Sequence, residues 1–394
     1  MASLSIIPDI AERLDRATAE AEGLPGSFYL SDFYAQEQRT LFTGGWCAVA
    51  LASSIPAPGD VYPVDLAGWP LIILRDGEGN VRAYHNVCRH RGMKFVLEPC
   101  HARVLRCPWH SWGYGLDGRL LATPDLGGAK HAQAEGFDRT SLGLIPVEVG
   151  VYLDCIFVNI DGGALPFADY IRPLEQLLDR YDLGALGRIG GGTVSYDANW
   201  KICVEGSIED YHLPFGHPEI NADELRNSTP ILASREIVGV MTEVPPPPPG
   251  TEDEHRPWAA HLPTLPMKDG SMPNRMYSLG LFPNAGMLVA FDHVAFGLYL
   301  PDGHGRTRYD YAVYTVAEAV ASQEHEAARK GTLDLWGIVV EQDRPFWEGA
   351  QQTALAREDG AIATRFSPYW EVSVHAFQQA VLGAVAVNRQ RAAG

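Results

Sequence analysis

The spacing of apolar and polar positions divides the chain into helical and extended stretches. Residues 8 to 23 repeat with helical spacing and meet a stop signal at Pro25-Gly26, and a second short helix is expected at about 33 to 42. From about residue 60 the pattern shortens to β-rich runs, "VYPVDL", "PLIILRD", "VRAYHNV", "RVLRC", "GLIPVEV" and "CIFVNID", parted by turns such as "DGEGN" and "LDG". These predict a small all-β module ending near residue 160. A helical stretch, "FADYIRPLEQLLDRY", follows it, then a Gly-rich turn at 190 to 192. Farther on, "RMYSLGLFPNAGMLVAFDHVAFGLYLPDG" and "RTRYDYAVYTV" read as antiparallel strands, and helical patterns return at about 317 to 330, 337 to 357 and 372 to 387. Strands and then helices, segregated in sequence, make this second region α+β. The segment "VPPPPPGTEDEHRP", residues 244 to 257, predicts an extended exposed loop, because consecutive prolines neither donate to a ladder nor continue a helix. The expected domains are 1–42, 43–160 and 161–394, with no internal repeat.

Composition narrows the function classes. A chain of 394 residues that is 46% hydrophobic can bury a substantial core. A net charge of −18, from 49 acids against 31 bases, argues against nucleic acid as a partner. No run of 18 apolar residues is present, and the first residues lack the basic start and apolar stretch of a secretory signal, so no membrane span and a cytoplasmic location are expected. Six cysteines in so long a chain do not make a disulfide framework, which turns attention to metal ligation.

The segment "NVCRHRGMKFVLEPCHARVLRCPWHSWGYGLDG", residues 86 to 118, pairs Cys88 with His90 and Cys107 with His110 on two loops. In a Rieske cluster two cysteines hold one iron of a 2Fe-2S centre and two histidines hold the other. A structural zinc finger puts both cysteines before both histidines, whereas here the order alternates, which favours iron and sulfur. Gly92 and Pro108 suit tight turns around such a cluster, and Cys100, with no histidine at matching spacing, is expected in the core.

A second constellation lies in "NWKICVEGSIEDYHLPFGHPE". His212 and His217 are five apart, which on an unbroken helix leaves the imidazoles roughly 140° apart. Pro214 and Gly216 between them could end the helix and turn both rings inward. Two histidines and one carboxylate with open positions form the facial triad of non-haem Fe(II) oxygenases. Taken alone, the same residues are also compatible with a helix-ending loop and an incidental histidine. Glu209 lies three residues before His212, so on one helical turn it neighbours the imidazole, while Asp210 points elsewhere.

"NVCRHRG" and "CPWHSWGYGLDGRLL", together with "NWK…E…EDYH….HP", resemble the cluster-binding and iron-binding signatures of Rieske non-haem iron oxygenase terminal components. The resemblance runs from about "LPGSFYLSDFY" to "RFSPYWEVSVHAFQQAV". It implies an all-β Rieske 2Fe-2S domain at 43–160 and a helix-grip, START-like catalytic domain at 161–394, to which 1–42 contributes a helical segment. Cys88, His90, Cys107 and His110 then hold the cluster and His212 and His217 the mononuclear Fe(II). The third ligand maps to Asp343, although by its own surroundings Asp343 could simply be a helix N-cap before Pro345, and Glu341 and Glu348 stand nearby as competitors. Glu209 falls at the acidic position that bridges the iron to a Rieske histidine of an adjacent subunit. Many members have Asp there, and Glu resembles the branch acting on carnitine and betaines. Gly206 replaces the family's usual Asn, which leaves that residue's role without a counterpart.

The implied reaction is hydroxylation of a small organic substrate, an aromatic ring or an N-alkyl or quaternary ammonium compound, by dioxygen. No G-x-G-x-x-G follows a strand, so NAD(P)H is expected to act only through a separate reductase, possibly with a ferredoxin. The resemblance implies a homotrimer or an α3β3 assembly. Tyr277, Phe282, Phe291, Phe296, Tyr299, Tyr309 and Tyr311 lie on strands that could line a pocket. The rival classes are a Rieske electron carrier without oxygenase activity and a zinc-stabilised binding protein. The first has no use for His212, His217 and Asp343, and the second would be colourless.

Overall fold

The computed structural model describes residues 7–218, 228–243 and 262–392, so the proline-rich loop expected at 244–257 lies outside the described residues. The chain divides into two compact units, one of residues 42–164 and one joining 1–41 to 165–394. In chain order α1 (Ile7–Leu14), α2 (Ser31–Glu37) and α3 (Leu41–Gly44) lead into β1 (Cys47–Leu51), β2 (Asp60–Leu66), β3 (Trp69–Arg75), β4 (Val81–His85), β5 (Cys100–His101), β6 (Val104–Arg106), β7 (Gly113–Gly115), β8 (Leu120–Ala122), β9 (Pro146–Tyr152) and β10 (Cys155–Asn159). The first helix is shorter than its spacing predicts. After Leu14 the chain folds back so that Arg13 Nη1 donates to Glu22 Oε2 at 3.0 Å and Glu22 N donates to Arg13 O.

The 42–164 unit is all β. One sheet has the order β1-β10-β9-β4-β3-β2-β5, and a small sheet, β6-β7-β8, carries the second Cys/His loop. Leu71 to Leu74 on β3 and Cys155 to Val158 on β10 are fully buried runs, so both faces of those strands are covered. Cys100, expected in the core, is exposed instead. It sits on the two-residue edge strand β5, paired only with Val61 of β2, which leaves its side chain towards solvent.

The larger unit continues with α4 (Phe167–Leu177), β11 (Leu186–Tyr196), α5 (Trp200–Ser207), α6 (Leu213–Gly216), β12 (Ser228–Leu232), β13 (Ile237–Glu243), β14 (Arg275–Leu281), β15 (Ala285–Val289), β16 (Val294–Pro301), β17 (Thr307–Val316), α7 (Ala317–Val320), α8 (Glu326–Gln342), α9 (Arg344–Gln352) and α10 (Val372–Ala392). Strands β12 to β17 form an antiparallel meander, and β11 closes the sheet beside β17. All eight positions of β16 are buried, because α5 packs over β14, β15 and β16 on one side of this helix-grip arrangement. The glycines at 190–192 are not a turn. They lie inside β11, where a Cβ on Gly190 would meet Leu333 of α8 at 2.6 Å and one on Gly192 would meet the Tyr311 ring at 2.9 Å. Glycine there lets helix and ring approach the sheet. The helix expected at 317–330 breaks after α7, and the one expected at 337–357 is divided at Asp343.

A buried ion pair ties α2 to α5. Lys201 Nζ lies 2.7 Å from Glu37 Oε1, both side chains fully buried, and Trp200 Nε1 donates to Glu37 Oε2 at 3.2 Å. Burial presses both groups towards neutrality, and their contact opposes it. Removing one partner strands the other, so Lys201→Met is expected to destabilise by about 3–5 kcal/mol. The Glu37→Leu/Lys201→Met pair should recover most of that loss in chemical denaturation. A wild-type midpoint for Lys201→Met would contradict the pairing.

Candidate metal centres

Short α6 solves the geometric problem posed by the two histidines. His212 is its N-cap, Pro214 occupies its first turn, and His217 is its C-cap, so the helix is only one turn long and both rings face the same point. His212 Nε2 and His217 Nε2 lie 3.2 Å apart. Asp343 Oδ1 lies 3.1 Å from His217 Nε2 and 3.6 Å from His212 Nε2. Asp343 stands between α8 and α9 with a helical backbone, yet its side chain makes no capping hydrogen bond. Its Oδ1 is buried with no hydrogen-bond partner.

The outer nitrogens of both rings are occupied. His212 Nδ1 lies 2.5 Å from Glu209 Oε1, and His217 Nδ1 lies 2.9 Å from Gln342 Oε1. Each Nδ1–H donates outward, which leaves each Nε2 lone pair facing inward. Burial lowers the basicity of His212, but the Glu209 hydrogen bond and the charges of Glu209 and Asp343 carry it above the ordinary value. The surroundings therefore draw positive charge to the place where the three donors meet. A buried carboxylate oxygen without a donor and two inward lone pairs fit a divalent cation held by two histidines and a carboxylate.

Glu209 reaches His212 by a different route from the one its spacing predicts. It lies in the loop after α5, not on a helical turn, and its Oε2 accepts from the backbone N–H groups of Tyr211 and, at 3.2 Å, His212. Asp210 does point elsewhere, accepting from Ser228 and, at 3.1 Å, from Thr242 Oγ1. Glu341 and Glu348 are both engaged by Arg344, at 2.8 Å and 3.1 Å, and Glu348 also accepts from Asp197 N. At Gly206 a Cβ would lie 2.4 Å from Trp347 Nε1, so the indole occupies the space an asparagine side chain would need.

The three donors open onto a cavity of about 190 Å³. Tyr277, Tyr299 and Tyr309 line it, whereas Phe282, Phe291, Phe296 and Tyr311 are not on its wall among the described residues. Phe282 packs edge-on to Phe377, Phe296 to Tyr314, and Tyr311 stacks behind Trp336. Trp336, Trp347 and His293 also line the cavity and were missed by the strand pattern. The signal for the two tryptophans was helical: Trp336, Val340, Asp343 and Trp347 recur at steps of four, three and four along α8 and α9, and all four line the cavity. Cβ space is scarce at Gly297, where an added carbon would lie 2.4 Å from the Tyr309 ring.

In the 42–164 unit the two Cys/His loops have matching turns. Gly92 N donates to Cys88 O and Cys88 N to Met93 O, and likewise Ser111 N donates to Cys107 O and Cys107 N to Trp112 O, all at 2.8–2.9 Å. Gly92 and Ser111 close the turns with positive φ, +74° and +55°. Asn86 clamps the first loop, its Oδ1 accepting from Phe95 and Val96 N–H and its Nδ2 donating to Val96 O. Cys88 and Cys107 lie in an apolar cluster with Phe95, Leu105, Trp112 and Tyr114. His90 and His110 are exposed, their Nδ1 atoms 3.1 Å apart. A sulfur pair inside and a nitrogen pair outside fit a two-iron cluster with one iron on each. The Tyr114 hydroxyl, 3.4 Å from Cys88 Sγ, accepts from Arg89 N, so its own hydrogen is free for a thiolate at Cys88.

The family model "Ring hydroxylating alpha subunit (catalytic domain)" matches residues 183–386, and the "Rieske [2Fe-2S] domain" model matches residues 45–133. The glycine betaine monooxygenase oxygenase subunit of Chromohalobacter salexigens is 29% identical over 384 residues, covering 88% of this chain and 81% of that protein. The carnitine monooxygenase oxygenase subunit of Escherichia coli is 29% identical over 206 residues, covering 50% of this chain and 53% of that protein. Among solved structures, naphthalene 1,2-dioxygenase from Rhodococcus sp. bound to indole superposes with a TM-score of 0.79 at 19% identity, covering 98% of this chain and 99% of its own. A quaternary ammonium Rieske monooxygenase in complex with γ-butyrobetaine gives 0.73 at 20%, covering 95% and 98%. Among the described residues no helix is long and apolar enough to cross a membrane.

Proposed function

Because the chain belongs to the ring-hydroxylating alpha-subunit family and carries a Rieske domain ahead of the catalytic domain, we propose that it is the terminal oxygenase of a multicomponent system, with His212, His217 and Asp343 holding Fe(II) and Cys88, His90, Cys107 and His110 holding the 2Fe-2S cluster. The observation that carries this is the convergence of three electron-pair donors, one of them a buried carboxylate oxygen with no hydrogen bond. The cluster supplies single electrons and the mononuclear iron activates dioxygen when both are bound. The chain's own residues do the rest. Glu209 and Gln342 fix the His212 and His217 tautomers, and the wall of Leu335, Val339, Met287 and aromatic rings keeps bulk water from the substrate.

The substrate is a small organic molecule, an aromatic ring or an N-alkyl or quaternary ammonium compound. Electrons come from NAD(P)H through a separate reductase, with or without a ferredoxin. The assembly is a homotrimer or α3β3, in which Glu209 bridges to a Rieske histidine of an adjacent subunit. Exposed aromatics around Glu209 suit such a contact: Tyr211 is 46% exposed and stacked on Trp370, and Phe215 is 79% exposed. A Rieske electron carrier gives the His212, His217 and Asp343 convergence no purpose, and a zinc-stabilised binding protein would be colourless.

The chain made with ample iron and sulfide, supplied with a surrogate reductase and a panel of aromatic and N-alkyl compounds, should place an atom of isotopically labelled dioxygen in a product. Zinc alone in the purified protein would sink the assignment. Glu209→Gln keeps a hydrogen-bond acceptor for His212, so both metals should stay bound while single-turnover oxidation of the reduced cluster slows by about 10–100-fold. An unchanged rate would remove Glu209 from the electron route.

A further inference from the structure

Three side chains apart from the metal donors join the sheet to α8 beside the cavity. Asp292 and His293 sit in the turn between β15 and β16, 6% and 5% exposed, and Trp336 projects from α8. His293 Nδ1 lies 2.7 Å from Asp292 Oδ1, and His293 Nε2 accepts from Trp336 Nε1 at 3.1 Å. The protons have one arrangement. An indole nitrogen only donates, so Nε2 of His293 is the bare nitrogen, the ring proton sits on Nδ1, and Asp292 accepts it as a carboxylate. The turn that carries this acceptor is itself pinned: Ala290 N donates to His293 O at 2.9 Å, and Thr315 Oγ1 donates to Asp292 O at 2.8 Å. His293 and Trp336 both line the cavity. Their rings stand perpendicular at 6.2 Å, while Tyr311 stacks on the indole at 6.0 Å.

We propose that His293 is a positioning residue for substrate: through its hydrogen bond to Trp336 it selects one of two settings of the indole, and so shapes the surface on which the oxidised compound lies. The torsion that turns an indole about its Cβ–Cγ bond is broad and roughly two-fold, so stacking on Tyr311 holds the ring plane without choosing which edge faces the cavity. The acceptor on the turn makes that choice. Without it the Nε1–H turns to water or to another polar group, because a desolvated donor with no partner is costly. The setting that receives substrate then becomes the minor one, and affinity falls in proportion to its population. Asp292 acts one step farther back, holding the imidazole tautomer as Glu209 and Gln342 hold those of the metal ligands. This role rests on the oxygenase function proposed above.

The test uses the iron-loaded full-length protein, reduced and exposed to nitric oxide, with the electron paramagnetic resonance of its nitrosyl adduct reporting bound indole or choline. His293→Asn keeps an N–H for Asp292 where Nδ1 was, but brings no acceptor to Trp336. His293→Gln does the reverse, reaching Trp336 with its Oε1. The probe should bind about 5–10-fold more weakly to His293→Asn and to Trp336→Phe, and His293→Gln should stay close to the parent. The His293→Asn/Trp336→Phe double variant should be no weaker than Trp336→Phe alone, because both changes remove the same bond. The nitrosyl signal without probe should match the parent's throughout. If His293→Asn loses that signal, Trp336→Phe and His293→Gln decide the matter. Parent-like binding in His293→Asn or Trp336→Phe, losses that add in the double variant, or a weakened His293→Gln would each overturn the role, as would a parent adduct that responds to neither probe. These results leave the oxygenase assignment standing, whereas absence of any nitrosyl signal in the parent sinks that assignment and the role with it.

Discussion

Asp343→Ala is expected to lose one iron per chain and all substrate oxidation while keeping the visible spectrum of the cluster. Iron affinity should fall by more than the ~10–100-fold that follows removal of an outer hydrogen-bond partner, because a ligand atom itself is gone. A second effect runs the other way. Oδ1 of Asp343 is buried without a donor, a condition that costs about 1–3 kcal/mol in the metal-free fold. The metal-free Asp343→Ala protein should therefore unfold at the same temperature as the metal-free parent or higher, and iron should raise the midpoint of the parent alone. Full iron content in this variant, or a metal-free midpoint well below the parent's, would remove Asp343 from the site.

Cys107→Ala should abolish the red-brown colour and about two irons and two sulfides per chain, with loss of reductase-dependent turnover. Cys107 is buried beside Cys88, Phe95 and Trp112, so the lost thiolate has no nearby substitute. Cys100, the other cysteine of this segment, is exposed on an edge strand. The iron at His212, His217 and Asp343 should persist, and its nitrosyl adduct should still form. Retention of the cluster spectrum would refute the ligand assignment. Cys100→Ala serves as the control and should leave the colour unchanged.

The sequence carried the local chemistry better than the tertiary detail. The β-runs were legible because each strand is short and bounded by turn residues, and the Pro214 and Gly216 between the histidines announced that the helix must stop. Asp343 was not legible from its own surroundings, since an aspartate before Arg-Pro has the appearance of a cap, and only the resemblance pointed to it. Glu209 and His212 were paired for the wrong reason: helical spacing suggested a contact that a capping loop in fact makes. Gly190 to Gly192 read as a turn because composition does not distinguish a chain reversal from a strand under close packing. Trp336 and Trp347 escaped notice because a helix stripe faces the cavity only once the sheet is in place.

Gly297 sits beneath the Tyr309 ring on a strand that is buried along its whole length. One methyl group there has nowhere to go except against the phenol, which must tilt into the hollow or force the strand aside. The room left for a guest is thus decided on the wall of the hollow itself, at a position that brings no side chain to it. Descendants of this enzyme can trade substrate range by single carbons at that spot, leaving every ligand to the metal in place.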